Sequence, residues 1–168
     1  MIRVLFICHG NICRSPMAEF LLKDMVQKRG IAGQFQIASA ATSTEEIWNG
    51  VGNPVYPPAR EELARHGIRC EGKRAVQLKA LDYDDYDYLI GMDTMNLRNM
   101  ERITGHRKNE KMFLLLELTG ENRSVADPWY TGRFDETYRD VAAGCSALLE
   151  FLESQSMLLP IPDVTANQ

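Results

Sequence analysis

Cys8-His9-Gly10-Asn11-Ile12-Cys13-Arg14-Ser15-Pro16 follows the apolar run Val4-Leu5-Phe6-Ile7 and leads into an amphipathic helical pattern. A thiol therefore stands at the tip of an expected strand, followed by a tight loop, an arginine, a hydroxyl and a helix start. Gly10 and Asn11 are residue types that tolerate left-handed backbone angles, so the loop can curl. Curling turns successive N–H groups inward and makes an anion nest. Ser15 reads as the N-cap and Pro16 as the first helical residue. The helix start adds its free N–H groups and dipole to the same cup. These are the parts that hold a phosphate dianion against a sulfur nucleophile. Spacing alone carries little weight: 4 Cys and 13 Arg in 168 residues give about 0.3 Cys-to-Arg pairs at this separation by chance. Cys13, Cys70 and Cys145 have Glu19, Val76 and Phe151 six residues on, so only Cys8 qualifies, and its context adds the weight.

Outward from that loop, strand and helix patterns alternate. Residues 2–8 read as a buried strand and 16–29 as a helix, with Met17, Leu21 and Met25 on one face, Phe20, Leu22 and Val26 beside it, and Gly30 as its stop. Further strands are expected at Phe35–Ala38, Tyr86–Gly91 and Met112–Leu116. Further helices are expected at Ala59–His66, from an Asp93 cap to about Thr104, and from Phe134 to about Leu152. The last carries the apolar stripe Tyr138, Val141, Ala142, Cys145, Leu148, Leu149, Leu152. Residues 44–58 read as irregular and 117–133 as a long loop; the Asp82, Asp84, Asp85, Asp87 cluster reads as a solvated face. The alternation predicts a single-domain α/β fold of three layers, a four-stranded parallel sheet with helices on both faces. Ligands of such folds bind beyond the carboxyl ends of the strands. Cys8 and the 117–133 loop both fall at that edge, and long loops in compact domains are often functional.

The length fits one domain, expected over 1–157, with a flexible tail over 158–168. A net charge of −4 gives no bulk attraction to nucleic acid or anionic membrane, so any anion site is local. No apolar run approaches a membrane span and no leader pattern opens the chain, so a cytoplasmic protein is expected. The four cysteines show neither a disulfide framework nor zinc spacing; no metal and no cofactor are expected.

Three blocks carry a family resemblance: Val4-Leu5-Phe6-Ile7-Cys8 through Ser15-Pro16; Ser39-Ala40-Ala41-Thr42-Ser43 with Met92-Asp93-Thr94-Met95-Asn96-Leu97-Arg98; and Ala126-Asp127-Pro128-Trp129-Tyr130. In order and spacing the chain resembles the low-molecular-weight protein-tyrosine phosphatases to about Leu152. The resemblance implies hydrolysis of phosphotyrosine in proteins through a phosphocysteine, with Cys8 as nucleophile, Arg14 as phosphate clamp and Asp127 as proton donor. The Arg14 fork matches two phosphate oxygens and the charge spread over them in the transition state. Protonating the aryl oxide as it leaves is worth roughly 10²–10⁴-fold. His9, Gly10, Asn11, Ile12, Cys13 and Ser15 are expected to line the phosphate loop. Trp129 and Tyr130 would wall a slot deep enough for an aromatic ester. Asn11 and Ser39 would brace the loop from behind. Cys13, five residues from Cys8 in a curled loop, is a candidate for a reversible disulfide that protects the nucleophile.

Two positions depart from the family pattern. Relatives often have a histidine of the bracing network where Lys73 falls, and an arginine where Val76 falls. The stretch Trp48–Pro54 is insertion-like and enlarges a rim loop. The expected partners are a phosphotyrosine protein and a phosphate-like oxyanion, with the chain a monomer or weak dimer. Rival readings are a protein-arginine phosphatase, which carries threonine where Ile12 stands; a thiol-based arsenate reductase, which needs a further cysteine pair where Cys70 is alone; and a phosphate-binding or inactive phosphopeptide-binding module, which leaves Arg14 and Asp127 unexplained.

Overall fold

β1 (Ile2–Cys8) is buried at every position from Val4 to Cys8, as befits a strand covered on both faces. In the computed structural model, which describes residues 1–159, it lies inside a parallel sheet of order β2-β1-β5-β6. β2 spans Phe35–Ala41, β5 Tyr88–Gly91 and β6 Met112–Leu114. β1 pairs with β2 from Ile2↔Phe35 to Cys8↔Ala41, and with β5 from Val4↔Tyr88 to Ile7↔Gly91. The alternation of β1 sends Val4, Phe6 and Cys8 into a core shared with α1 (Arg14–Lys28), α2 (Pro57–Arg65) and α6 (Phe134–Ser154), and Leu5 and Ile7 into a second core with Met100 of α4 (Thr94–Thr104). The three layers are thus as expected. The winding reverses at β1, with β2 on one side and β5 on the other, so the crevice for a ligand opens at the tip of β1.

The α6 stripe is the core-facing one: Val141, Cys145, Leu148, Leu149 and Leu152 are fully buried, with Tyr138 and Ala142 packed alongside. Gly144 lets this helix approach the turn after β6, because a Cβ there would run into the Leu115 side chain.

Several boundaries differ from expectation. α1 begins at Arg14, not Pro16, with Cys13 before it and no side-chain cap. Ser15 is therefore not the N-cap; it lies inside the first turn, and its hydroxyl bonds other groups. Pro16 remains in that turn, where a missing N–H costs nothing. Residues 44–58 hold a hairpin, β3 (Ile47–Trp48) and β4 (Val51–Gly52), turned by Asn49 and Gly50 at φ 49° and 76°. Two consecutive positive-φ residues suit the twist of a two-residue hairpin turn. α2 starts two residues early, at Pro57. α3 (Asp82–Asp85) is a short turn in which Asp82 accepts from Lys79 N, while Asp87 accepts from Arg3 N. β6 stops at Leu114, and Leu115–Thr119 forms a 3-10 turn. The expected 117–133 loop also contains α5 (Pro128–Thr131). Leu158 packs on the core and Leu159 exchanges two hydrogen bonds with Gln34, so the chain is still tied at the start of the expected tail; residues 160–168 lie outside the described residues.

Candidate active site

The loop from Cys8 to Arg14 curls around the Cys8 sulfur. Its pivot is Asn11, buried and at φ 60°, a left-handed angle that asparagine tolerates better than most residues. Asn11 N donates to Cys8 Sγ at 3.3 Å. Its side-chain Nδ2 donates to Ser15 Oγ (2.8 Å) and Ser39 Oγ (2.9 Å), and Oδ1 accepts from Val76 N (3.0 Å). Ser15 Oγ lies 3.0 Å from Cys8 Sγ. Because Ser15 Oγ accepts from Asn11, its own proton is free to point at the sulfur. The tips of the neighbouring segments hold the loop backbone: Thr42 N donates to Cys8 O, Ser43 N to His9 O and Tyr56 N to Ile12 O.

Behind Asn11 the support is ionic. Ser39 Oγ donates to Glu19 Oε1 at 2.6 Å. The buried Glu19 carboxylate pairs with Lys23 (2.6 Å) and Lys73 (3.3 Å), and Lys73 Nζ also donates to Ser39 O (3.0 Å). Lys73, a departure from the family pattern, thus takes part in the bracing. At Val76, the other departure, the backbone N–H makes the contact with Asn11, and the side chain is exposed.

Arg14 is 2% exposed. Its Nη1 donates to Asp93 Oδ2 (2.7 Å) and Val125 O (2.9 Å), and its Nη2 lies 3.5 Å from Asp127 Oδ2. Burial works against its charge, but Cys8, Asp93 and Asp127 outweigh it and hold the guanidinium above its ordinary pKa. Asp93 has two duties. One oxygen grips Arg14; the other caps α4 by accepting from Asn96 N at 2.7 Å, while Asn96 Oδ1 accepts from Asp93 N. The loop after β6 is drawn in by Val125 N, which donates to Met92 O. Asp127 then caps α5, its Oδ1 accepting from Trp129 N at 3.0 Å.

These groups end in a cavity of about 380 Å³ lined by Cys8, His9, Gly10, Ile12, Cys13 and Arg14 on the loop, Asp127, Trp129 and Tyr130 opposite, and Glu45 and Glu46 at one side. Trp129 and Tyr130 are 57% and 85% exposed, and Trp129 leans on Tyr56, ring centroids 5.0 Å apart. The Asn11 side chain lies behind the cup, where a bracing residue is expected, with its backbone N–H facing the sulfur, and the Ser15 hydroxyl sits between Asn11 Nδ2 and Cys8 Sγ. Ser39 sits behind the loop, where expected. Cys13 is free and buried; burial, helped by the charges of Cys8 and Asp127, pushes its thiol up to about 12. Among the described residues no three His, Cys, Asp or Glu side chains converge on a metal-sized site, and no helix is long and apolar enough to cross a membrane.

The sequence reading missed three contributors and one contact. Asp93, expected as a helix cap and as part of a family block, also holds Arg14, and its place directly beyond β5 puts it at the ligand edge of the sheet. Tyr56, Glu45 and Glu46 lay in a stretch taken as irregular, and no local signal points to them.

Residues 3–157 match the family model for low molecular weight phosphotyrosine protein phosphatase. The chain is 37% identical over 160 residues to the Bacillus subtilis low molecular weight protein-tyrosine-phosphatase YfkJ, covering 94% of this chain and 100% of that one. The YfkJ crystal structure superposes with a TM-score of 0.85 at 36% identity, over 92% of this chain and 96% of that one. SP-PTP of Streptococcus pyogenes, a low molecular weight protein tyrosine phosphatase, gives 0.78 at 37% identity, over 95% and 100%. The Drosophila arginine phosphatase DARP gives 0.80 at 28% identity, over 90% and 98%. With Cys8, Arg14 and Asp127 in one cleft, the chain belongs to the low molecular weight phosphotyrosine protein phosphatase family.

Proposed function

We propose that the chain hydrolyses phosphotyrosine in proteins, and small aryl phosphates, through a covalent phosphocysteine and without metal. The observation that carries this reading is the convergence of Cys8 Sγ, the buried Arg14 fork and the Asp127 carboxyl on one cavity. The Cys8 thiolate attacks phosphorus, the P–S bond forms and the P–O(aryl) bond breaks. Arg14 and the loop amides hold the non-bridging oxygens, and Asp127 gives its proton to the leaving aryl oxygen. Water then attacks the phosphocysteine as the Asp127 carboxylate takes its proton. The P–S bond breaks, releasing inorganic phosphate and restoring the thiolate. Ser15 O–H and Asn11 N–H donate to the sulfur whenever it is anionic, which also makes it a better leaving group in the second step. Trp129 and Tyr130 supply walls for an aromatic ring.

The test is release of p-nitrophenol and of phosphate from a phosphotyrosine peptide. Cys8→Ser is expected to abolish turnover, and Asp127→Ala to lower it about 10²-fold or more, most for poor leaving groups.

The likeness to an arginine phosphatase brings a second substrate into the same assay. Ile12 in the cup favours phosphotyrosine over phosphoarginine, and turnover of a phosphoarginine peptide alone would reverse that order. The proposal extends to Cys13. Peroxide oxidises Cys8 to a sulfenic acid; the Cys13 sulfur attacks it, losing its proton as the disulfide forms and water leaves. A Cys8–Cys13 linked peptide after mild peroxide supports this, and a sulfinic acid at Cys8 alone refutes it. We place the protein in the cytoplasm, as a monomer or weak dimer.

A further inference from the structure

The cavity wall made by Glu45 and Glu46 has no part in the chemistry above. The Glu45 side chain is 70% exposed; its partner is His9 Nε2 at 3.0 Å, itself on the rim, and that contact is an ion pair only when the imidazole is protonated. Glu46 is held by a neutral group, Asn53 Nδ2, at 2.7 Å. It is pressed on the phosphate loop, its Cγ lying 3.2 Å from where a Cβ on Gly10 would stand.

The backbone fixes this wall. Asn53 N donates to Glu46 O, Ala75 N to Asn53 O and Arg74 Nη1 to Gly52 O. Gly52 sits so close to the Ala75 backbone that no side chain fits between them. The hairpin base is thus pinned on both sides, which fixes the backbone that carries Glu46, while Glu45 is turned to the rim by its contact with His9.

Of the residues lining the cavity, Arg14 is the one permanent cation. It lies at the floor, already engaged by Asp93 and Asp127. A phosphate dianion therefore passes the two rim carboxylates before it meets the Arg14 guanidinium. That approach is unfavourable for an isolated anion or an acidic peptide, and favourable for a segment that brings its own cations to the rim.

Resting on the phosphotyrosine reading above, we infer that Glu45 and Glu46 select phosphotyrosine segments with Lys or Arg beside the phosphorylated residue and reject those flanked by Asp or Glu. The pairing is at an exposed rim, so it is modest per charge and screened by salt.

The experiment compares two phosphotyrosine peptides of equal length, one flanked by Arg and one by Glu, on the full chain and on the Glu45→Gln/Glu46→Gln variant, at low and high ionic strength. The wild-type chain is expected to favour the Arg peptide in kcat/KM by about threefold or more. The preference is expected to shrink in high salt and in the double variant. Equal or reversed preference in the wild-type chain overturns the inference while leaving the phosphotyrosine reading intact, and so does a preference that the double variant retains in full. Failure to turn over either peptide overturns both.

Discussion

Asn11 holds the nucleophile loop through both ends of its amide and through an angle few residues adopt. Asn11→Gly keeps the angle and deletes the side-chain bonds, so the two contributions separate. It is expected to cost about 1–3 kcal/mol in urea unfolding and to lower kcat well beyond that structural loss, because Ser15 then loses the partner that orients its proton. Lys73 acts one step further back. Lys73→Met leaves the buried Glu19 with a single cationic partner, Lys23, and is expected to cost about 1–3 kcal/mol; Lys73→Arg is expected to recover part of it. Cys13 differs from Cys8 although both line the cavity. With its pKa pushed up to about 12, Cys13 stays a neutral thiol throughout the neutral range. Iodoacetamide near neutral pH is expected to label Cys8 and spare Cys13, as read by peptide mass spectrometry; equal labelling would contradict this.

At the scale of elements, the α4 N-terminus joins the fold to the Arg14 guanidinium through Asp93. Asp93→Asn preserves the cap, since asparagine caps helices as well as aspartate, but removes the charge that fixes Arg14. The expected result is a thermal midpoint close to wild type with kcat/KM lowered about 10–100-fold from clamp misplacement. On α6, Gly144→Ala drives a methyl into Leu115 and is expected to destabilise by about 1–3 kcal/mol through overpacking. The elements legible in the sequence are those whose signals are local. β1 is an apolar run ending in a special loop; α4 opens on Asp93; α6 carries one unbroken stripe. The hairpin at 47–52 was missed because its strands are two residues each, too short to show alternation, although Asn49-Gly50 between apolar residues is the pair such turns favour. The start of α1 was misplaced because Ser15 resembles a cap, whereas its hydroxyl is claimed by Cys8 and Asn11. The motif and the family resemblance point to Cys8, Arg14 and Asp127, which the fold brings to one cavity. The contacts of Asp93 with Arg14 and of Tyr56 with Trp129 join distant parts of the chain, which no spacing rule reaches.

Over the whole molecule, the buried thiols make stability depend on alkaline pH. Cys13 keeps its proton to about 12 when folded but releases it near 9.0 when unfolded, and burial shifts Cys70 and Cys145 in the same direction. Unfolding therefore releases protons above that pH. The stabilisation is fully present below about pH 9 and drains away as pH rises through the folded values. Melting temperatures are expected to be level with respect to these groups from neutral pH to about 9 and to fall beyond it, and alanine at Cys145 is expected to shallow that fall.

Cys8 ends an interior strand, with β2 hydrogen-bonded on one side and β5 on the other. Amides of such a strand exchange with solvent chiefly when the entire domain opens, whereas peripheral segments such as the 47–52 hairpin fray on their own. Denaturant is thus expected to extinguish far-ultraviolet ellipticity along one curve, with turnover falling at or ahead of it as the peripheral segments that line the cavity open first. Residual catalysis then becomes a lower bound on the number of native molecules, useful wherever the population of intact chains is the quantity sought.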